Sequence, residues 1–238
     1  MLRFTFPYCY NTDAMKLVEE VAFRNKFYVF KDRYHAGELL AGKLKEYRGT
    51  DTYVLAIPAG GVPVGYVISK RLELPLDVIV VRKIHIPWNQ EAGFGAITFD
   101  GIIIFNERLL RILGLTKEEV DRCIEVERST IERRVKLIRG GKPFPDVAGR
   151  TTILVDDGIA SGYTMLSAVK SVERRKPKKI VVAVPTGSES AIKLLEPWVD
   201  EIVCLNVRTG PVFAVADAYK YWYDLTDEDV VKILKMIA

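Results

Sequence analysis

Residues 153–164 read Ile153-Leu154-Val155-Asp156-Asp157-Gly158-Ile159-Ala160-Ser161-Gly162-Tyr163-Thr164. The three apolar residues that open this stretch indicate the end of a strand covered on both faces, since such a strand shows no apolar–polar alternation. The two adjacent carboxylates stand at the carboxyl end of that strand, where open α/β sheets bind ligands. A helical pattern begins at Met165. The stretch therefore predicts a strand–loop–helix unit of an α/β fold.

The loop between the acids and the helix consists of small and hydroxylated residues. Its backbone N–H groups can close on a phosphate at the start of the helix, and the Ser161 and Thr164 hydroxyls can add donors. Two adjacent acids would repel a bare phosphate, so the ligand must also carry hydroxyls or a divalent cation. A ribose phosphate with Mg²⁺ meets both requirements. The alternative is a hairpin or helix-capping turn, in which Asp157 and Ser161 only satisfy backbone groups.

Strand-like and helix-like segments alternate along the rest of the chain. This alternation predicts an α/β fold with a doubly wound, mainly parallel sheet in one core domain. The further predicted strands cover residues 27–30, 53–57, 77–81, 180–184 and 201–205, and the further predicted helices cover 14–25, 36–47, 62–72, 106–113, 116–139, 188–195 and 226–237.

Three local signals add detail between the second strand and the long helix. The Asp-Gly pair at 100–101 separates two apolar runs and predicts a β-hairpin over 96–105. Thr116 with Glu119 predicts a capping box at the start of a helix. Residues 84–95 contain a proline, a tryptophan and two glycines without periodicity, which predicts a long loop.

The composition is that of an ordinary globular chain. It has 238 residues, of which 28% are charged and 49% hydrophobic, so a disordered or membrane protein is not indicated. The net charge of +4 is too small and dispersed to argue for nucleic acid, and the basic run 174–179 is interpreted as a solvated helix end. Cys9, Cys123 and Cys204 are too far apart to indicate a disulfide framework or a zinc site. We expect a cytoplasmic protein with no membrane span, since residues 1–10 lack a signal-peptide core.

Two further segments place phosphate-binding chemistry at neighbouring strand ends. The first reads Ala56-Ile57-Pro58-Ala59-Gly60-Gly61-Val62. Its adjacent glycines allow close backbone approach, so N–H groups can face a second phosphate; the alternative is an ordinary turn. In the second, Arg82 and Lys83 end the next strand, where a cation would point into the same crevice.

Together these segments resemble the type I phosphoribosyltransferases, whose phosphoribosyl diphosphate (PRPP) motif has an apolar strand, two acids and a small, hydroxylated loop. Gly158 departs from the aliphatic residue usual after the acids. The resemblance covers about residues 32–224, and within the family the chain looks like an uncharacterised branch of predicted members. It implies a single domain over 1–238, with a core at about 32–209 and a hood built from 1–31 and 210–238.

The resemblance also implies roles for individual residues. The ribose and 5′-phosphate of PRPP would be bound by Asp156, Asp157, Gly158, Ile159, Ala160, Ser161, Gly162, Tyr163 and Thr164, and the diphosphate by Ala59, Gly60, Gly61, Arg82 and Lys83. The implied catalytic residues are Lys83, Asp156 and Asp157, with both acids reaching Mg²⁺ through bound water.

Several finer expectations follow from the family. The diphosphate loop commonly contains a strained or cis peptide, which we place at Ala59–Gly60. Residues 84–95 would begin a mobile loop that closes over the site, and His85 in it is a candidate contact or an ordinary exposed residue. His35 is expected to be structural. The presence of Ala160 disfavours hypoxanthine or guanine as acceptors, since many enzymes acting on these bases have an acid there.

Aromatic side chains near the carboxyl terminus are candidates for stacking on a flat acceptor. They are Phe213, Tyr219, Tyr221 and Trp222. The alternative is that these rings fill a small core or a subunit interface.

The expected reaction is displacement of diphosphate from PRPP by a nitrogen nucleophile, assisted by Mg²⁺, in a homodimer. No residue is indicated as a covalent nucleophile. One alternative is a non-catalytic PRPP-binding regulator. A second is a hydrolase or a relative of PRPP synthetase, although a synthetase would need two such domains and an ATP site.

Overall fold

A six-stranded parallel sheet forms the centre of the protein, in a computed structural model that describes residues 15–237. The strand order is β1-β9-β8-β7-β2-β3, and every pairing in this sheet is parallel. Its strands are β1 (Lys16–Val18), β2 (Thr52–Ala56), β3 (Leu76–Val78), β7 (Thr151–Val155), β8 (Lys179–Ser188) and β9 (Glu201–Arg208). The prediction of a doubly wound, mainly parallel α/β sheet is confirmed.

Helices cover both faces of this sheet, which explains why its central strands are continuously apolar. Leu154 packs into the cluster with the helix that follows β7, whereas Ile153 and Val155 pack into the cluster on the opposite face. The helices are α1 (Arg33–Lys43), α2 (Gly61–Leu72), α3 (Glu107–Leu113), α4 (Lys117–Arg139), α5 (Tyr163–Glu173), α6 (Glu189–Leu195) and α7 (Asp227–Lys235), with short 3₁₀ turns at Val21–Phe23, Lys45–Tyr47, Glu196–Trp198 and Val215–Ala218.

A second, antiparallel sheet of three strands is inserted between β3 and β7. It consists of β4 (Val81–Ile86), β5 (Asn89–Thr98) and β6 (Ile103–Phe105), in the order β4-β5-β6. The predicted hairpin at Asp100-Gly101 is confirmed as the β5–β6 turn, and Asp100 accepts hydrogen bonds from Ser171 and Arg175 of the α5 region. This anchor joins the inserted sheet to the helix that follows the acid pair.

The prediction of a long loop over 84–95 is wrong. These residues form most of the β4–β5 hairpin, whose turn contains Pro87 and Trp88. The predicted strand 77–81 is also divided: its first part ends the central sheet as β3, and Val81 already belongs to β4. The chain leaves the central sheet there, because β3 is an edge strand that pairs only with β2 in the described residues.

Near the amino terminus, tertiary pairing overrides the local pattern. The predicted helix 14–25 is wrong over its described part: Lys16–Val18 is an edge strand beside β9, and Val21–Phe23 is a 3₁₀ turn. The predicted strand 27–30 makes only an isolated bridge from Phe30 to Tyr219. Cys9 and the rest of 1–14 lie outside the described residues.

The helix signals near α4 are confirmed. Thr116 accepts from the Glu119 backbone N–H, and the Glu119 side chain accepts from the Thr116 N–H, so the capping box is present. His35 is held at the start of α1, where its N–H donates to Asp32 and its Nδ1 accepts from the Lys31 N–H. Within residues 15–237, none of the helices combines the length and apolar character needed to cross a membrane.

Candidate active site

The site lies where the connections of the central sheet change direction. The chain leaves β2 toward β3 on one side, and it leaves β7 toward β8 on the other. β2 and β7 are neighbours, with Ala56 paired to Val155 at their carboxyl ends. Loops that diverge from adjacent parallel strands open a crevice, the usual ligand site of such sheets.

The two loops that meet in this crevice are the glycine segment after β2 and the acid pair after β7. A Cβ atom on Gly60 would collide with the Asp157 carboxylate, and one on Gly61 would lie 2.6 Å from the Val155 carbonyl oxygen. Only glycine therefore lets these loops approach this closely. The sequence prediction that both segments share one crevice agrees with this geometry.

The non-proline cis peptide of this loop joins Pro58 to Ala59. Its predicted position, Ala59–Gly60, is therefore wrong by one bond.

Arg33 is the main residue of this site that the sequence interpretation missed. Its Nε donates to Asp157 Oδ2 at 2.8 Å and its Nη1 donates to the Tyr223 carbonyl oxygen at 2.8 Å. Its guanidinium carbon lies 3.9 Å from the centre of the Trp222 ring, and the residue is only 5% exposed. Arg33 thus joins the acid pair to the carboxyl-terminal segment.

Tyr219 contacts both the acid pair and Trp222. Its hydroxyl donates to the Asp157 carbonyl oxygen at 2.6 Å, and its ring lies 5.3 Å from that of Trp222. Tyr219 is 1% exposed, so it packs as a core residue and offers no face for stacking. This outcome matches the small-core alternative.

The other aromatic candidates lie in different surroundings. Trp222 is brought to the acid pair through Arg33 and remains 39% exposed. Tyr221 is 63% exposed, whereas Phe213 is half-buried, with its ring 5.8 Å from the Arg208 guanidinium. Of these three remaining candidates, Trp222 is the one that the described contacts connect to the acid pair, through Arg33.

The two acids differ in their electrostatic surroundings. Burial, followed by repulsion from the Asp157 charge, raises the pKa of Asp156 well above its ordinary value. Asp157 has Arg33 as a counter-ion, whereas the described part of the chain provides no cation hydrogen-bonded to Asp156. A bound cation or a set of ligand hydroxyls would stabilise ionised Asp156.

These donors fit Mg²⁺, which prefers carboxylate oxygens and usually keeps waters and substrate oxygens as its other ligands. No cluster of three or more potential ligating side chains occurs among residues 15–237. The acid pair could therefore hold the ion only in combination with water or substrate.

The loop from the acids to α5 is held in place by β8. Ile159 forms a bridge to Gly187, and Ser188 Oγ donates to the Ala160 carbonyl oxygen at 2.6 Å. Ser161 is exposed, and its hydroxyl has no hydrogen-bond partner among the described residues. The anchored backbone leaves this hydroxyl and the first turn of α5 open to a ligand.

Gly158, the departure from the family pattern, has a packing reason. A Cβ there would lie 2.5 Å from Cγ1 of Val215, in the carboxyl-terminal segment. An aliphatic side chain at this position would displace that segment, so glycine here accompanies its close packing on the loop.

Lys83 and Arg82 lie in the inserted sheet, and successive residues of a strand point to opposite faces. Lys83 crosses Gly93 of the hairpin, and its Nζ donates to the Glu91 carbonyl oxygen at 2.9 Å. Arg82 donates from Nε to Glu127 of α4 at 2.9 Å. The two cations therefore have different partners. Within the described residues, Arg82 forms an ion pair with Glu127, whereas Lys83 forms none.

Comparison with known proteins gives concordant results. A family model described as the phosphoribosyl transferase domain matches residues 33–222. A protein of Mycobacterium tuberculosis strain H37Rv named "Putative phosphoribosyl transferase Rv0571c" is 35% identical over 206 residues, 87% of this chain and 46% of the relative. The chain thus spans about half the length of that curated relative.

Two other similarities cover different parts of the chain. The crystal structure of TT1426 from Thermus thermophilus is 36% identical in sequence, with a TM-score of 0.70, covering 86% of this chain and 97% of that one. A ribose-phosphate pyrophosphokinase of Pyrococcus furiosus is 34% identical over 73 residues, only 30% of this chain and 26% of the relative.

Proposed function

The chain belongs to the phosphoribosyl transferase domain family, and from this premise we propose that it transfers the phosphoribosyl group of PRPP to a nitrogen nucleophile. One observation carries the proposal: the acid pair after β7 lies directly against the glycine loop after β2 at the switch point of the sheet. This juxtaposition suits a sugar that bears a phosphate at one end and a diphosphate at the other.

In this proposal each loop holds one part of PRPP. Asp156 and Asp157 accept from the ribose hydroxyls, and the loop from Ala160 to Thr164 binds the 5′-phosphate at the start of α5. The backbone of residues 59–61 faces the diphosphate. Mg²⁺, when bound, supplies positive charge that offsets the charge of the diphosphate, and Asp156 and Asp157 are the residues that would hold it through water.

The chain's own charges suit a transition state in which the anomeric carbon becomes cationic. The ionised acid pair lies on the ribose side, so its attraction for the sugar grows as positive charge develops. Lys83 is assigned to the departing diphosphate, which requires its Nζ to exchange the Glu91 carbonyl oxygen for the phosphate oxygens. That exchange involves only an exposed lysine side chain.

The acceptor is assigned to the exposed face of Trp222. Arg33 lies over one face of the ring and Tyr219 packs beside it, which holds the ring near the acid pair while 39% of the residue remains exposed. Tyr221 and Phe213 are additional candidates at the rim. A planar heterocycle suits such a ring because both partners present π-faces.

The proposal is tested by incubating the protein with PRPP, Mg²⁺ and each of a panel of bases that includes adenine, orotate, hypoxanthine and guanine. We expect diphosphate release that depends on one class of base and disappears in Asp157→Asn. Binding of PRPP with no release for any base would favour the non-catalytic regulator. The absence of both PRPP binding and diphosphate release would overturn the proposal.

Variants of the phosphate contacts should separate turnover from binding. Lys83→Ala is expected to lower kcat about 100-fold, the usual cost of losing one donor to developing negative charge, while leaving the Kd for ribose 5-phosphate within about twofold. Ser161→Ala and Thr164→Val should instead weaken ribose 5-phosphate, as measured by calorimetry.

Lys178→Ala is the matched control for this comparison. Lys178 is exposed and directly precedes β8, so it lies at the amino ends of the parallel strands, away from the crevice at their carboxyl ends. It should change neither quantity. Equal losses of ribose 5-phosphate affinity in the Lys83, Ser161 and Thr164 variants would contradict the assigned division of roles.

A further inference from the structure

A groove of about 580 Å³ lies between the β4–β5 hairpin and α4. Arg82 and His85 line it from the hairpin, and Arg122 and Glu127 line it from the helix. Its volume is in the range of pockets that bind small molecules. None of the roles assigned above to the acid pair, the glycine loop or Trp222 uses this space.

Glu127 organises the polar side of the groove. Its side chain is 6% exposed; Oε2 accepts from Arg82 Nε at 2.9 Å, and Oε1 lies 2.6 Å from His85 Nδ1. Since a carboxylate only accepts, the proton of this contact belongs on Nδ1. One buried carboxylate therefore orients two side chains of the hairpin.

A bulge makes this double contact possible. Residues three apart in a regular strand point to opposite faces, yet Arg82 and His85 reach the same carboxylate. The β4–β5 register shifts on either side of His85, which turns its ring to the Arg82 face. Bulges often redirect a side chain toward a functional site.

Several donors in the groove have no protein partner. Within the described residues, neither the Nη groups of Arg82 nor the Arg122 guanidinium makes a hydrogen bond. Glu91 is the other acid lining the groove, but it is exposed at the hairpin, whereas Glu127 is already engaged by both partners. The available donors suit an oxyanion.

The rest of the lining combines apolar residues with Gln90, Cys123 and Thr130. Ile86 and Pro87 contribute from the hairpin, and Val126 contributes from α4 with 63% of its surface exposed. We propose that this groove is a second ligand site, which binds a small organic anion through its carboxylate or phosphate and packs the remainder on Val126 and Pro87. Arg82 and Lys83 are neighbours in β4. A ligand bound to Arg82 would therefore also influence the position of the strand that carries Lys83.

The two histidines of the chain allow a direct test that needs no turnover. In protein labelled with ¹⁵N-histidine, His85 reports on the groove, and His35, two residues after Arg33, reports on the crevice. Titration with inorganic phosphate, and separately with acetate, is expected to shift the His85 ring signals saturably. The anion with the lower Kd identifies the preferred oxyanion.

Matched arginine variants on α4 complete the experiment. Arg122→Gln should weaken the His85 response about tenfold, the effect of losing a hydrogen bond to a charged group. Arg128→Gln, on the same helix but outside the groove, should not change it. Saturating PRPP with Mg²⁺ should leave the His85 titration in place.

Three outcomes would overturn the second site. They are a His85 signal that neither anion shifts, a response unchanged by Arg122→Gln, and a response abolished by PRPP with Mg²⁺. The last would assign the groove to the PRPP site. Because the readout is a ring signal, failure of the proposed transferase activity would not produce any of them.

Discussion

PRPP with Mg²⁺ is expected to raise the melting temperature of the native protein, and the double variant Asp156→Asn/Asp157→Asn is expected to lose most of that rise. A ligand at 100 times its Kd stabilises the folded state by about 2.7 kcal/mol. For a chain of this length that corresponds to roughly 5–10 °C. The amides keep the shape of the pair but remove both charges, so the ribose hydroxyls and the cation lose their acceptors.

The measurement is a thermal unfolding series in which each variant is compared with its own unliganded form. Glu118→Gln/Glu132→Gln is the matched control, because both residues are exposed on α4 and the change in net charge is the same. The control should keep the full rise. An undiminished rise in the aspartate double variant would place the ribose site elsewhere and refute the central assignment.

The parts of this site that could be predicted from the sequence are the loops at the carboxyl ends of apolar strands. β7 reads as a continuous apolar run because helices cover both of its faces, and the acids therefore had to stand at its carboxyl end. The glycine loop follows β2 in the same way. Because β2 and β7 are neighbours in the sheet, their carboxyl ends bring Gly60 and Asp157 together.

Arg33 and Tyr219 could not be found in this way, because their contacts are non-local. Arg33 reaches Asp157 across 124 positions of the chain, and Tyr219 reaches it across 62. An arginine after a helix cap ordinarily points to solvent, and no local pattern separates a buried one. The only available signal was its place at the start of the stretch, about residues 32–224, that the family resemblance covers.

The hairpin over 84–95 was missed for a different reason. Gly93 and Gly95 resemble loop residues, yet both lie in β5, where they make room for neighbours. A Cβ on Gly93 would collide with the Lys83 side chain, and one on Gly95 would lie 2.7 Å from the Ile104 carbonyl oxygen. Glycine within a strand often marks such a close approach. Its meaning depends on the partner strand, which the local sequence does not specify.

The two acids should also respond oppositely when replaced singly in the unliganded protein. At pH 7, Asp156→Asn is expected to stabilise the fold by about 1 kcal/mol, which raises the melting temperature by roughly 2–4 °C. The reason is that a carboxylate whose charge is unfavourable in this site is replaced by a neutral amide. The amide oxygen can still accept from the Asp157 N–H, which lies 2.9 Å from Asp156 Oδ1. Asp157→Asn is expected to destabilise by about 3 kcal/mol, because Arg33 keeps its charge in a buried position without a counter-ion.

The stabilisation expected from Asp156→Asn should depend on pH. The pKa of Asp156 is raised in the folded protein, so this state retains a proton that the unfolded chain releases at about pH 4. The contribution of Asp156 to stability therefore falls as pH rises from about 4 through the raised pKa. The gain from Asp156→Asn should be full above that interval and absent below about pH 3, where the carboxyl is protonated in both states.

Urea unfolding at pH 7 and pH 3 measures both effects, with Glu132→Gln as an exposed control that should stay within about 0.5 kcal/mol. Two variants that destabilise equally would contradict the unequal surroundings of the pair. Opposite signs would mean that Asp156 lowers stability while the site is empty, whereas Asp157 supports the fold through Arg33. Asp156 would then gain most from an arriving cation or sugar hydroxyl, because its charge is the one that the protein itself leaves uncompensated.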